Sequence, residues 1–253
     1  MDYVRPYDQG GGYPPSLFYV VFGVEEAPLE ISKSRHRVDA FPKGLEVVYV
    51  SQKTNRTYME ELLGGTLGEV LSRTYPELYP KAKKAKSWAV LRGTIRDSAD
   101  LGYLKNTIGI IQALAEKGAA GVLDLLTFTM YTPAEWEEKI FNPGFRPHAH
   151  AVILSSPLEE GGLWLHTRGM MKFGRPDISV RPVPPEETDI AAGVINQMIF
   201  YSAQGAVFSK TVKLHISQTA ACVLTPVLAG DGDDPDFNNA HYEIDWDACV
   251  LEE

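Results

Sequence analysis

The sequence is poor in cysteine, with only Cys222 and Cys249 in 253 residues. A disulfide-stabilised fold needs a denser set of cysteines, so the stability of this chain has to come from a packed apolar core. No apolar run approaches the roughly 18 residues that span a bilayer, and the N-terminus lacks the basic and apolar blocks of a signal peptide. We therefore expect a cytoplasmic protein with reduced cysteines and no membrane partner.

Several sequence motifs that mark common enzymes are also missing. The chain has no Gly-x-x-x-x-Gly-Lys-Ser/Thr phosphate loop and no Gly-x-Gly-x-x-Gly dinucleotide-binding turn. It has no Gly-x-Ser-x-Gly, Cys-x-x-Cys or His-Glu-x-x-His motif either. These absences exclude the commonest nucleotide-dependent and hydrolytic classes, although they leave other enzymes open. No cofactor is identifiable from the sequence.

Basic residues are lacking in the C-terminal part, where no Lys or Arg occurs from Leu214 onward. Nine acidic residues lie between Asp231 and Glu253, and the other 24 acidic residues balance the 24 Lys and Arg. The net charge of −9 therefore belongs to this end of the chain. Nucleic acids need a positive protein surface, so they are not expected as partners.

The acidic C-terminal segment is dense in oxygen ligands between Asp231 and Asn239, as a calcium loop would be. It departs from the EF-hand pattern because Pro235 takes a ligand position and Tyr242 stands where the final Glu belongs. We expect a solvated loop over residues 230–240, with a bound cation as the alternative.

The pattern of apolar residues predicts an α+β fold. Strand, helix and strand patterns alternate over residues 45–131, whereas strand patterns surround one helix over 148–246. In the helix that follows Asp100, Ile108 and Ile111 fall on the apolar face. We expect mixed or antiparallel sheets with helices packed on one face.

The same patterns suggest how the chain is divided. Residues 1–16 are rich in Gly and Pro and are expected to form a flexible N-terminal arm. An α/β-patterned half follows over 17–141, and a strand-rich half over 148–253 ends in the acidic segment. Two ferredoxin-like halves and one continuous domain are both open alternatives.

Two histidines are spaced as metal ligands on a strand would be. His148 and His150 are two residues apart in the stretch 147–151, at the start of a strand predicted over 149–155, and they would point to the same side if that stretch is extended. Imidazole nitrogens are common ligands of divalent metals, and His166 is a candidate third ligand. Ordinary hydrogen bonding at the entrance of a strand is the competing explanation.

The segment from Trp164 to Asp177 has the composition of an anion-binding loop. A predicted strand over 163–168 is followed by four residues between Gly169 and Gly174. Its candidate ligand-binding residues are His166, Arg168, Lys172, Arg175 and Asp177. Two arginines with planar guanidinium groups could clamp a carboxylate or a phosphate. A hairpin whose cations face water would have the same sequence.

These observations favour a non-catalytic protein that binds either a protein partner or a small anionic ligand. The alternative is a metal-assisted, hydrolase-like enzyme that uses His148, His150 and His166 with a divalent metal. The reaction, the ligand and the oligomeric state do not follow from the sequence.

Overall fold

The computed structural model describes residues 3–215, 221–230 and 237–252. It confirms the α+β class, with helices and both mixed and antiparallel sheets. The chain forms two compact units: Met1–Tyr3 with Ser16–Arg146, and Val4–Pro15 with Pro147–Glu253. In the part of the chain that the structure describes, no helix is both long enough and apolar enough to cross a membrane. Most of the predicted loop at 230–240, and with it the candidate cation site, lies outside the described residues.

The first unit alternates strands and helices. Its strands are β1 (Ser16–Phe22), β2 (Leu45–Ser51), β3 (Ser87–Thr94), β4 (Gly121–Asp124) and β5 (Thr129–Tyr131). Its helices are α1 (Lys33–His36), α2 (Arg56–Leu62), α3 (Gly65–Thr74), α4 (Tyr79–Lys84), α5 (Gly102–Ala115) and α6 (Pro133–Trp136), the last continuing as a π-helical turn over Glu137–Phe141.

The sheet of the first unit is antiparallel, with the strand order β2-β3-β1-β4-β5. Its first four strands have the order of a ferredoxin-like sheet, in which β3 separates β1 from β2. The unit departs from that fold because helices α2 to α4 separate β2 from β3 and because β5 extends the sheet.

Helices cover both faces of this sheet, which corrects the expectation of helices on one face. Val20 and Phe22 of β1 belong to a core cluster that also contains Met59 of α2 and Leu71 of α3. Tyr19 points to the opposite face, because side chains alternate along a strand, and its ring contacts the α6 indole of Trp136 at 5.9 Å.

Glycine and left-handed residues interrupt two predicted elements. The helix expected from Thr57 onward is broken into α2 and α3 at Gly64, and Gly65 has a φ of 53°. The long strand expected over 119–131 is a hairpin of β4 and β5, with Phe128 at a φ of 55°. Periodicity alone does not reveal such turns, because the apolar pattern continues through them.

The second unit is richer in strands. They are β6 (Val152–Pro157), β7 (Leu163–Arg168), β8 (Asp177–Val183), β9 (Val212–His215), β10 (Ala221–Leu224), β11 (Val227–Ala229), β12 (His241–Asp245) and β13 (Val250–Glu252). Helix α7 (Thr188–Ala203) follows β8. One sheet has the order β11-β12-β8-β7-β6 and a smaller one the order β13-β10-β9. Strands β8 and β12 are parallel neighbours, so this unit does not have the ferredoxin-like order.

The larger sheet of the second unit has two chemically different faces. One face is apolar and buried, with Leu165, Ile178, Val180, Tyr242 and Ile244. Helix α7 contacts β7 and β8 and buries its own apolar side chains, so it packs on this face. The register of β7, β8 and β12 places polar and aromatic side chains on the opposite face, here called the polar sheet face: Trp164, His166, Arg168, Ser179, Arg181, His241 and Glu243.

Helix α5, which is buried on nearly all sides, provides a test of the first unit's core. Ile108 and Ile111 are buried, at 2% and 0% exposure. We expect Ile111→Ala to lower the free energy of unfolding by about 2–5 kcal/mol, through lost transfer energy and the cavity left behind. Val70→Ala, at an exposed position of α3, should change it by less than about 0.5 kcal/mol. Equal denaturation midpoints for the two variants would contradict this packing.

Candidate functional site

The segment between β7 and β8 forms a tight loop. Met170–Phe173 is a 3-10 turn, and the flanking residues Gly169 and Gly174 have φ values of 108° and 61°. A Cβ atom on Gly174 would lie 2.1 Å from the carbonyl oxygen of Tyr13. Glycine is therefore needed at position 174 both for its left-handed backbone and for this close approach.

The carboxylate of Asp177 lies at the centre of a buried hydrogen-bond network. Its Oδ1 accepts from the Thr167 hydroxyl at 2.8 Å and from the Met170 backbone N–H at 3.3 Å. Its Oδ2 accepts from the Asn239 amide at 2.8 Å. Asn239 also donates to the carbonyl oxygen of Arg175 at 2.9 Å. The network joins the end of β7, the loop and the start of β8 to the segment that precedes β12.

Burial changes the acid–base properties of two side chains in this region. It raises the pKa of Asp177 from 3.8 to about 6, although hydrogen bonds from Asn239, Thr167 and Met170 and the charge of Arg168 oppose the rise. Burial also lowers the pKa of the half-buried Arg168, and the charge of Asp177 opposes that change. A carboxyl group that titrates near pH 6 makes the network sensitive to pH.

Arg175 binds the N-terminal segment 4–15. Its guanidinium donates to the carboxylate of Asp8 at 3.1 Å and to the carbonyl oxygens of Gly174 and Gly205 at 2.9 and 3.2 Å. Arg5 donates to the carbonyl oxygen of Phe173. Residues 4–15 of the predicted N-terminal arm therefore belong to the second unit, and Arg175 helps to hold them there. Lys172, in the same loop, is fully buried.

Aromatic rings fill the middle of the polar sheet face. The rings of Trp164 and His166 are stacked with centroids 4.1 Å apart, and those of Phe237 and His241 are stacked at the same distance. The ring of Phe237 is T-shaped to the rings of both Trp164 and His166, with centroids 5.7 Å apart in each pair. The indole N–H of Trp164 donates to the Ser179 hydroxyl at 2.9 Å. Phe237 therefore covers β8 where Ser179 is buried.

His241 has an unsatisfied polar atom. Its side chain is 5% exposed, and among the described residues its Nδ1 has no hydrogen-bond partner. Gly230 lies against this ring, since a Cβ atom on Gly230 would be 2.9 Å from Nδ1. A buried nitrogen of this kind is costly unless it finds a partner, which makes it a candidate contact for a ligand.

The predicted histidine pair does not lie on a strand. Residues Pro147–Ala149 form a 3-10 turn, in which the backbone N–H of His150 donates to the carbonyl oxygen of Pro147 at 2.9 Å. Strand β6 begins only at Val152, which corrects the predicted start at Ala149. His148 is exposed, whereas His150 is buried with its ring against Phe173. The two imidazoles thus lie in different environments.

The described part of the chain holds no group of three or more His, Cys, Asp or Glu side chains that could bind a metal ion. His148, His150 and His166 accordingly do not come together as a set of three ligands.

A cleft of about 280 Å³ opens beside the Gly169–Gly174 loop. We call it the loop cleft, and the residues that line it include Tyr13, Met171, Gly174, Gly230, Asn238 and Asn239. Gly230 also contacts His241, so the unsatisfied Nδ1 lies close to the cleft. The first unit has larger clefts of about 360 and 540 Å³, lined in part by Arg56, Trp88 and Lys53.

The sequence analysis missed several residues of this region. Ser179, Phe237, Asn239 and His241 reach it because β8 and β12 pair in parallel across a long sequence separation. The available signal was the strand pattern that starts at His241, but that pattern does not show which strand is its neighbour.

Comparisons with known proteins identify no relative of this chain. No family model, no curated protein and no solved structure matches the chain.

Gly174 provides a test of the loop geometry. We expect Gly174→Ala to destabilise the second unit by at least about 3 kcal/mol, because it adds a clash with the Tyr13 carbonyl to the cost of a positive φ. Gly161→Ala is the matched control, since Gly161 also has a positive φ but a Cβ atom there would meet no other atom within 4 Å. It should cost about 1–2 kcal/mol. Equal losses for the two variants in urea denaturation would contradict the close approach.

Asp177 provides a test by pH. Because its folded pKa of about 6 exceeds 3.8, protonation stabilises the folded protein at low pH, and this contribution is lost as pH rises through 6. The expected change is about 3 kcal/mol, and Asp177→Asn removes it. The free energy of unfolding of the wild type minus that of the variant should therefore fall between pH 4 and pH 7.

The control for this measurement is Asp247→Asn, which removes an exposed acid from the same unit. Its difference from the wild type should stay nearly constant over that range. A constant difference for Asp177→Asn as well would contradict the raised pKa.

Proposed function

We propose that the second unit binds a small oxyanion, a phosphate or a carboxylate, in the loop cleft, and that it acts as a binding unit without catalysis. The observation that carries this proposal is the buried Nδ1 of His241, which has no partner among the described residues and lies beside Gly230 at the cleft. With its hydrogen on Nδ1, this imidazole donates to a bound oxygen atom and is satisfied by it.

The described residues that line the cleft are uncharged, and cations in neighbouring positions favour an anion. Arg168 is half-buried on the polar sheet face, while Lys172 and Arg175 are buried in the loop that supplies Met171 and Gly174 to one wall. Charges in a partly buried setting act more strongly than they do in bulk water. Arg168 contributes to this potential near Asp177, whereas Arg175 acts mainly through the segment that it holds.

The size of the cleft favours a small ligand. At about 280 Å³ it falls just below the range of roughly 300–1,000 Å³ that is usual for drug-sized ligands. A single phosphate or a short carboxylate matches this volume better than a nucleotide does.

We further infer that the protein works in the cytoplasm. Cys222 and Cys249 are both free thiols, as expected in a reducing compartment.

Calorimetric titration of the whole protein with inorganic phosphate, and separately with acetate, tests the proposal. His241→Phe keeps an aromatic ring to stack on Phe237 but removes the donor, so we expect the affinity to fall about 10-fold or more. Arg168→Lys should also weaken binding, because an ammonium group lacks the planar fork of a guanidinium.

The matched control is Arg92→Lys, at an exposed position of β3 in the first unit, which should bind like the wild type. The proposal fails if neither anion binds, or if His241→Phe folds normally and retains wild-type affinity.

A further inference from the structure

The two cysteines of the chain are neighbours in the smaller sheet of the second unit. Cys222 lies on β10 and is fully buried, while Cys249 immediately precedes β13 and is partly exposed. Strands β10 and β13 are antiparallel, with Cys222 opposite Leu251 and Val223 opposite Val250. Continuing this register places Cys249 opposite Leu224. The cysteines are therefore diagonal neighbours on the same face of the pair.

The two thiols also interact directly. Hydrogen bonding between them is the largest influence on the pKa of each, and it lowers the pKa of Cys222 while raising that of Cys249. The carbonyl oxygen of Asp245, 3.4 Å from the sulfur of Cys249, is an alternative acceptor for the single hydrogen of this thiol. Both cysteines are free, so the structure represents the reduced pair.

We propose that Cys222 and Cys249 form a reversible oxidation site, in which a peroxide converts the thiol pair into an intramolecular disulfide. The strand register, the contact between the thiols and the partial exposure of Cys249 support this assignment. It does not depend on the proposed anion binding.

The chemistry proceeds in two steps. Loss of one proton from the pair leaves a thiolate that is hydrogen-bonded to a thiol, and this proton can move between the two sulfurs. The hydrogen bond favours the charge on the buried Cys222, so the minor form, with the charge on the partly exposed Cys249, is the one that reacts with the peroxide. The sulfur of Cys249 attacks: an S–O bond forms, the O–O bond breaks, and the leaving oxygen takes up a proton as water.

The thiolate of Cys222 then attacks the sulfenic sulfur of Cys249. The S–S bond forms, the S–O bond breaks, and the second oxygen leaves as water after protonation. In total, two thiols are oxidised to one disulfide while one hydrogen peroxide is reduced to two waters.

The disulfide would join the two ends of residues 223–248. This stretch carries Phe237 and His241, which are stacked on each other at the polar sheet face. Oxidation would therefore stabilise the folded arrangement of this stretch, because closing a loop reduces the number of conformations open to the unfolded chain.

Treatment of the reduced full-length protein with one equivalent of hydrogen peroxide tests the site. After alkylation and peptide mass mapping, we expect a peptide pair linked through Cys222 and Cys249, with a mass about 2 Da below that of the two reduced peptides, and its loss on addition of dithiothreitol. Cys249→Ser and Cys222→Ser should yield no such product. Disulfide-linked dimers of the wild type, or irreversible oxidation of Cys249 while Cys222 remains open to alkylation, would overturn the proposal.

Urea denaturation provides a second measurement. The peroxide-treated wild type should unfold at a higher urea concentration than the reduced protein, whereas the same treatment of Cys249→Ser should leave its midpoint unchanged. An equal midpoint for the oxidised and reduced wild type would contradict the restraint on residues 223–248.

Discussion

The second unit depends on one buried carboxylate. Asp177 accepts hydrogen bonds from Thr167, from the backbone of Met170 and from Asn239, and so it connects parts of the chain that are far apart in sequence. A buried carboxylate is costly unless its oxygens are satisfied, and each of these donors occupies a position that this carboxylate determines. The glycine-flanked loop, the first residue pair of β8 and β12, and the segment that leads into His241 all meet at this group.

The two units use their sheets differently. In the first unit helices cover both faces, and apolar residues from α2, α3 and α6 fill the space on either side of β1. In the second unit α7 covers one face of the larger sheet, and the opposite face carries charged, polar and aromatic side chains. A sheet with one polar face can present polar side chains to a ligand, whereas a sheet buried on both faces cannot. For this reason the candidate site lies in the second unit.

Local patterns in the sequence were enough to predict several elements. The alternation of β7 gave its bounds, Leu163–Arg168, and Ile108 and Ile111 are buried as expected, together with most other residues of α5. Both predictions rest on the residue pattern of a short segment. The glycines at 169 and 174 likewise marked the two ends of the loop at the candidate site.

The rest depends on contacts between distant residues, which a single sequence does not specify. Asp8 pairs with Arg175, and His241 lies next to Asp177 in a parallel register, without any local signal for either contact. The extended backbone expected at His148 and His150, at the start of the strand predicted over 149–155, is absent for another reason. A strand pattern extends into that segment, but the backbone turns there because His150 bonds back to Pro147. Hydrogen bonding of the backbone therefore overrode the side-chain pattern.

The division of the second unit along the chain has a consequence for biosynthesis. Residues 4–15 leave the ribosome before residues 16–146, but Gly174, Arg175 and Gln204, to which they bind, are made only after the whole of residues 16–146. During translation residues 4–15 therefore lack these contacts until the second unit has been made. Contacts of such long sequence separation form slowly. The second unit can therefore be completed only after residues 147–205 have been made, although its segment 4–15 precedes the whole of residues 16–146.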